Sequence, residues 1–555
     1  MKRPDSDAAH EHVDVLVVGA GLAGLYILHC LRQRGLTARC YEAGSGVGGT
    51  WYWNRYPGAR VDVESVQYCY HFSDELVKEW QWTEKFAAQP ELLRYVNYVA
   101  DRFDLRRDVK FETRVTSATF DDDANLWTLR TDKGDVASAR YCIMATGSLS
   151  KPYKPPFPGL EDFRGDWYHT ATWPHEEVDF TGKRVGIVGT GSTGIQAIPV
   201  VAAQAKHLTV FQRTPNYTAP ARNRPLDADE QSAFFAEHDK WRGEVKQTFA
   251  AMTGYPLPTR FPAEDSPAQR RAYLERRWEE GGMPQSLLSA YKGVAIDEEA
   301  NRAVADFVRD KIHEIVEDQA VADLLSPPLD LPIGSKRPPI DTDYYDTYNR
   351  DNVTLVNVRE APIQRITADG LETAEALHEL DAIIFATGFD AMTGTLLAID
   401  IQGPNGATLR DAWADGPKSY LGLAVAGLPN LFMINGPGSP SVKANMIVAI
   451  EQHTDWLMGL LDHLREAGLD RVEADPQAQE EWVDHTAEVA EATLMPRADS
   501  WYVGANIPGK KRVYMPYFGG FDRYSALCEQ IAADGYRGFV LSAHETVREA
   551  EAQPA

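Results

Sequence analysis

Cysteine is scarce in this chain of 555 residues. The five present, Cys30, Cys40, Cys69, Cys142 and Cys528, are odd in number and form no CxxC or zinc-ligand spacing. That excludes a disulfide framework and fits buried free thiols in a reducing compartment. Positive charge is also short: 56 Lys and Arg face 81 Asp and Glu, a formal net charge of −25. Nucleic acid and anionic membrane surfaces would repel such a chain, so neither is expected as a partner. Long apolar runs are missing too. Val15–Leu31 carries no Asp, Glu, Lys or Arg, but Gly19, Gly21 and Gly24 and a length short of about 20 residues favour a buried strand–turn–helix over a membrane span. The opening MKRPDSDAAHEH has no apolar core of a secretory signal. The expectation is a cytoplasmic protein.

What is present is ample core material: 44% hydrophobic residues, with 13 Trp, 24 Tyr and 20 Phe. VDVLVVGAGLAGLYILHCLRQRG reads as strand, tight turn and helix, and Leu36–Tyr41 supplies the next strand, ending at Glu42. A Gly- and Trp-rich loop follows, then helical spacing over Pro90–Phe103 and short strands leading to ARYCIMATG. The proline-rich SLSKPYKPPFPGLEDFRG reads as a linker. A second strand–turn–helix starts at KRVGIVGTGSTGIQAIPVVAAQ and runs into HLTVFQR. Residues 225–325 are charged and helical in pattern. LDAIIFATGFD and PNLFMINGPGSP return to strand logic.

Gly19, Gly21 and Gly24 form G-x-G-x-x-G between a strand and a helix. The glycines permit the turn, let backbone approach a pyrophosphate and allow close helix–strand packing, with phosphate at the helix N-terminus. About 20 residues on, an acid accepts hydrogen bonds from ribose hydroxyls and repels a 2′-phosphate; here it is Glu42. The second unit has Gly189, Gly191 and Gly194, with Ser192, Thr193 and Gln196 on the same turn, and Arg213 where the acid would stand, followed by Thr214. A guanidinium there suits a 2′-phosphate. The expectation is FAD in the first site and NADPH in the second, in an α/β fold of two Rossmann-like dinucleotide-binding domains with an inserted helical subdomain. The boundaries expected are 1–150 with 388–543 for FAD, 151–224 with 326–387 for NADPH, 225–325 for the insertion, and a flexible tail at 544–555. No close cysteine pair is available to receive electrons from the flavin, so delivery to O2 leads. No histidine spacing points to a metal.

Phe163-Arg-Gly165-Asp-Trp-Tyr-His169-Thr-Ala-Thr-Trp173-Pro174 reads F-x-G-x-x-x-H-x-x-x-W-P, just before the second glycine motif. It resembles the fingerprint of the type I Baeyer–Villiger monooxygenases. Gly49 to Asp62 resembles the family's G-x-W-x-x-x-x-[FY]-P-G-x-x-x-D, and the ATG segments Ala145–Gly147 and Ala386–Gly388 resemble its scaffold. GPGSPS at Gly436–Ser441, IEQH at Ile450–His453 and SWYVGAN at Ser500–Asn506 are most similar to the phenylacetone- and steroid-oxidising branch. The resemblance implies that NADPH reduces FAD, that O2 adds at flavin C4a, and that the peroxide inserts oxygen beside a ketone carbonyl to give an ester or lactone. It places the arginine of that chemistry at Arg337 in SKRPP, pairs it with Asp62, and assigns Lys336 to the 2′-phosphate. It sets Trp501 against the nicotinamide ribose, and Gly49, Thr50, Trp51, Trp53, Tyr68, Val115 and Met446 along the FAD. His169 is expected to shape the linker rather than act as a base. Aryl, bulky or cyclic ketones are the expected substrates. Three alternatives stay open: oxidation of sulfides or amines, a catalytically idle nucleotide sensor, and NADPH oxidation that releases peroxide. Lys443, beside GPGSPS, is an unusual charge in this setting.

Overall fold

The computed structural model describes residues 10–255, 257–282 and 285–544. All but the first residue of the tail expected at 544–555 lies outside them. Two large sheets organise the chain. From edge to edge the first runs Asp400–Gln402, Val115–Asp121, Leu126–Thr131, Val136–Met144, Glu11–Val18, Ala38–Tyr41 and Val109–Lys110. Leu431–Met433 also joins it, pairing with the far half of Val136–Met144. The second is parallel throughout: Val353–Asn357, His207–Gln212, Arg184–Val188, Ala382–Phe385 and Asp166–His169.

Both central strands are short β-branched runs because both of their faces are covered. Val15, Leu16 and Val17 are fully buried, as are Val185 and Ile187. On one face of the first sheet the helix Leu22–Gln33 packs against the long helix Met446–Ala467. On the other, Trp127, Met144 and Leu431 fill a second core. Val15–Leu31 is thus the strand and helix expected, and no helix among the described residues is long and apolar enough to cross a membrane.

Parallel register sets the site. Val18 lies opposite Tyr41 and Met144, so Gly19, Glu42 and Ala145 emerge together at one sheet end. Val188 lies opposite Phe211 and Phe385, so Gly189, Gln212 and Ala386 do the same. This is the crevice at the carboxyl ends of strands where open α/β sheets bind ligands.

The stretch 225–325 divides between two cores. Ala228–Ala236 and His238–Val245 bring Phe235, Trp241 and Val245 to the first unit, where Trp241 and Val245 meet Val448, Ala449 and Phe521. Pro267–Glu280, Glu298–Ile315 and Gln319–Leu325 bury Trp278, Val304, Ile312 and Leu325 with Val185 and Ile187 of the second unit.

Candidate active site

The two glycine turns are near copies in backbone. Gly19 has φ +103° and Gly189 φ +110°. A Cβ on Gly19 would lie 2.6 Å from the Ala145 carbonyl oxygen, and one on Gly189 would lie 2.6 Å from that of Ala386. A Cβ on Gly24 or Gly194 would lie 1.9 or 2.2 Å from the carbonyl oxygen of Gly19 or Gly189. The ATG segments are therefore the floors of the two turns. Beyond Gly191 the space is open, and Gly21 meets only the Gly49 backbone, so both turns leave room for a pyrophosphate against bare backbone.

In the first unit, Glu42 is buried and accepts from the Ala20 and Gly44 amides (2.8 and 2.7 Å). Those two bonds leave further lone pairs for ribose hydroxyls. At the same sheet end, buried Asn435 has neither Oδ1 nor Nδ2 partnered among the described residues, as a bound polar group would require. Asn435 is held by His453 of the IEQH segment, whose Nδ1 accepts its backbone amide (3.0 Å). Burial drives the His453 pKa down to about 3, which makes it a neutral positioning group whose Nε2 lies 2.9 Å from the Tyr524 hydroxyl.

The second unit carries positive charge at the corresponding place. Exposed Arg213 follows strand His207–Gln212, and Asn357 of the neighbouring strand lies opposite Gln212. That register brings in Arg359, whose Nη2 donates to Thr214 Oγ1 (3.0 Å). Lys336 completes the group. Burial, then Arg213 and Arg359, push its pKa down to about 8, because three cations share one corner. Nearby Asp499 is paired with Arg512 (2.5 Å). Such a cluster fits a dianionic 2′-phosphate. Arg359 carries no motif, and only strand register reveals it.

Between the units, Arg337 donates from Nε (2.9 Å) and Nη2 (2.7 Å) to one oxygen of Asp62, and from Nη1 to the Val442 carbonyl (2.8 Å). Burial opposes its charge, but Asp62 and Tyr502 outweigh burial and raise its pKa, so it is permanently protonated. The side chains of Arg337 and Asp62 remain 31% and 22% exposed, open enough to meet a small reactant. Ser335 is fully buried and Asn216 donates to the Arg337 carbonyl (2.9 Å), which fixes the loop. Lys443 stands one residue from Val442, with its ammonium over the rings of Tyr502 (4.7 Å) and Phe518 (4.5 Å).

The other expected residues fall around this centre. Trp51 donates from Nε1 to the Tyr68 hydroxyl (3.3 Å). Gly49, φ +53°, precedes the short helix Thr50–Trp53, which leaves Thr50 exposed and Trp53 half-buried. Met446 opens the long helix after its cap, Asn445. Trp501 packs with Met392 and Met515, its ring 4.4 Å from that of Tyr502. Ser192 and Thr193 begin helix Ser192–Gln204. Two residues differ from a simple lining role. Val115 buries its side chain in the core with Trp127 and Met144, so only its backbone can face a cofactor. Gln196 accepts from the Tyr56 hydroxyl (2.8 Å) and donates to the Arg60 carbonyl (3.1 Å), which ties one unit to the other. Gly58 lies against the same residue: a Cβ there would sit 2.2 Å from the Gln196 carbonyl oxygen. His169 accepts the Ala171 amide at Nδ1 (3.1 Å), and its Nε2 faces the Tyr153 carbonyl (3.1 Å) and Thr387 (3.2 Å), joining linker to ATG segment. Asp74, His238 and Asp239 gather three potential metal-ligand atoms, but Arg242 pairs with both aspartates (3.1 and 2.8 Å) and supplies the positive charge there. All five cysteines are free and buried.

Residues 12–219 match the flavin-binding monooxygenase-like family. The chain is 45% identical to the acetone monooxygenase (methyl acetate-forming) of Gordonia sp. (strain TY-5), over 96% of this chain and 99% of that one. It is 42% identical to a Baeyer–Villiger monooxygenase of Pseudooceanicola batsensis, over 95% and 96%. A solved structure of oxidised steroid monooxygenase bound to NADP superposes with a TM-score of 0.91 at 49% identity, covering 96% of this chain and 99% of that one. With two glycine cradles of opposite charge and an arginine–aspartate pair between them, the chain belongs to the FAD- and NADPH-dependent Baeyer–Villiger monooxygenases.

Proposed function

We propose that this enzyme oxygenates aryl or bulky ketones in the cytoplasm, with Arg337 and Asp62 as its chemical centre. The overall reaction takes ketone, O2, NADPH and a proton to ester or lactone, NADP+ and water. Bound FAD supplies the ring that takes a hydride from NADPH and passes electrons to O2. The protein's part is charge and orientation. Arg337 holds a fixed positive charge toward the negative charge that develops on the ketone oxygen. Asp62 aims that guanidinium and takes up two of its donors, while Val442 takes a third. Glu42 would hold the FAD ribose; Arg213, Lys336 and Thr214 would hold the NADPH 2′-phosphate; Trp501 would wall the nicotinamide side. The division into an FAD unit (1–150 with 388–543) and an NADPH unit (151–224 with 326–387) belongs to the same reading.

One observation carries it: the permanently charged Arg337 of one unit is oriented by Asp62 of the other. Oxidation of sulfides or amines develops no negative charge on a substrate carbonyl oxygen, so that chemistry has no use for such a cation. The test incubates FAD-loaded enzyme with NADPH, air, phenylacetone and a methyl aryl sulfide. Benzyl acetate is the expected product, and Arg337→Ala should be reduced by NADPH yet lose about 10²–10³-fold in ester formation. Sulfoxide without ester across a wider ketone panel would overturn the reading.

A further inference from the structure

Lys443 is a charged group of this site that the reaction leaves unused. Its ammonium is wedged between the faces of Tyr502 and Phe518, one residue beyond the carbonyl that holds Arg337. Two other shielded lysines of the protein, Lys311 and Lys510, are neutralised by carboxylates. Lys311 meets Glu275 and Glu314, both at 2.8 Å, and Lys510 meets Asp390 at 2.8 Å. Among the described residues, no carboxylate lies within ion-pair distance of the Lys443 ammonium and no oxygen accepts from it. Ring faces attract the charge and fix its position, but they leave the N–H donors without oxygen partners.

The placement is built rather than incidental. Ser441, with φ +41°, starts the short turn Ser441–Lys443, and Asn445 ends the segment with its amide donated to the Gln67 carbonyl (2.7 Å). Lys443 therefore leaves a clamped backbone toward the rings. The groups around its ammonium are Arg337, Tyr502 and Phe518; Asp62 neutralises Arg337, and Tyr514 backs Phe518. None of them offers an anion to Lys443.

We propose that Lys443 is a specificity-determining residue that binds the carboxylate of an oxo acid while the ketone of the same molecule faces Arg337. The substrate class then includes ketones that carry an acidic group a few bonds from the carbonyl. The proposal rests on the ketone-oxygenating reading above. Burial, then Arg337, brings the Lys443 pKa down to about 7. The sign follows: the ammonium is charged below about 7 and lost above it, so preference for the acid should fade as pH rises.

The test uses FAD-loaded enzyme with 4-acetylbenzoate and 5-oxohexanoate, each against its methyl ester. In wild type the acids should be oxygenated and should bind the oxidised holoenzyme by calorimetry. In Lys443→Met the acid-to-ester ratio of kcat/KM should fall about ten- to a hundredfold, with matching weakening of acid binding, whereas Lys443→Arg should keep most of both. Flavin content and the rate of NADPH reduction report whether each variant is intact. If Lys443→Met does not hold flavin, the wild-type ratio between about pH 6 and about pH 8.5 decides instead, and should fall at least about fivefold. Oxygenation of the esters with a ratio that neither substitution nor pH moves would overturn the role of Lys443 alone. No oxygenation of acids, esters or simple ketones would overturn the parent reading with it.

Discussion

The two nucleotide cradles share a backbone and differ in charge. In the first, a carboxylate, Glu42, is buried and tied to two amides. In the second, Arg213, Lys336 and Arg359 crowd a corner that includes exposed arginines, where Asp499 offsets part of the repulsion and a bound anion would offset more. The contrast shows how one turn geometry serves two purposes. A buried acid fixed by two amides, with lone pairs to spare, suits a cofactor that stays, and an open, crowded cation cluster suits a coenzyme that comes and goes.

The strongest break of this comparison is at the third glycines. Gly24→Ala and Gly194→Ala each force a methyl group onto a carbonyl oxygen, costing about 1–3 kcal/mol or more. Gly24→Ala should purify largely colourless, and Gly194→Ala should stay yellow with a KM for NADPH raised at least about tenfold. Flavin absorbance and steady-state kinetics separate them, and equal flavin loss in both would erase the distinction between the cradles. Next is Arg213→Ala. The 2′-phosphate contact is charge-assisted and worth about 1.5–3 kcal/mol, so the KM for NADPH should rise about ten- to a hundredfold while that for NADH barely moves.

A smaller effect comes from pH. Lys336, with its pKa lowered to about 8, is charged below that value and neutral above it. The kcat/KM for NADPH, which reports the free enzyme, should therefore fall as pH rises through about 8. The NADH profile should be flatter, and Lys336→Met should remove the difference between them. Smallest is Arg359→Ala. An exposed contact of up to about 1 kcal/mol predicts a rise in NADPH KM of no more than about fivefold.

Much of this was legible in the residues because dinucleotide cradles are local. Strand, turn and helix lie within a single run of chain, and the deciding residues Glu42 and Arg213 close the following strand. The Asp62–Arg337 pair was legible only through resemblance, since its partners meet across the interface of two units. Arg359 and the rings around Lys443 were not legible, because strand register and packing between distant segments bring them together. The region 225–325 was legible as helical from its pattern, whereas its division between two cores follows from which apolar face each helix finds. Side-chain burial at Val115 was hidden for a similar reason: which face of its strand packs on Trp127 and Met144 is settled by the sheet, not by the local run of residues.

Gly58 has a mechanical consequence. It rests on the Gln196 carbonyl with no side chain between, and the Gln196 amide grips the Arg60 carbonyl two residues before Asp62. The strip from Tyr56 to Asp62 thus works as a short drawbar between the units. Any displacement of helix Ser192–Gln204 against the first unit would therefore be transmitted along this strip toward the carboxylate that holds Arg337.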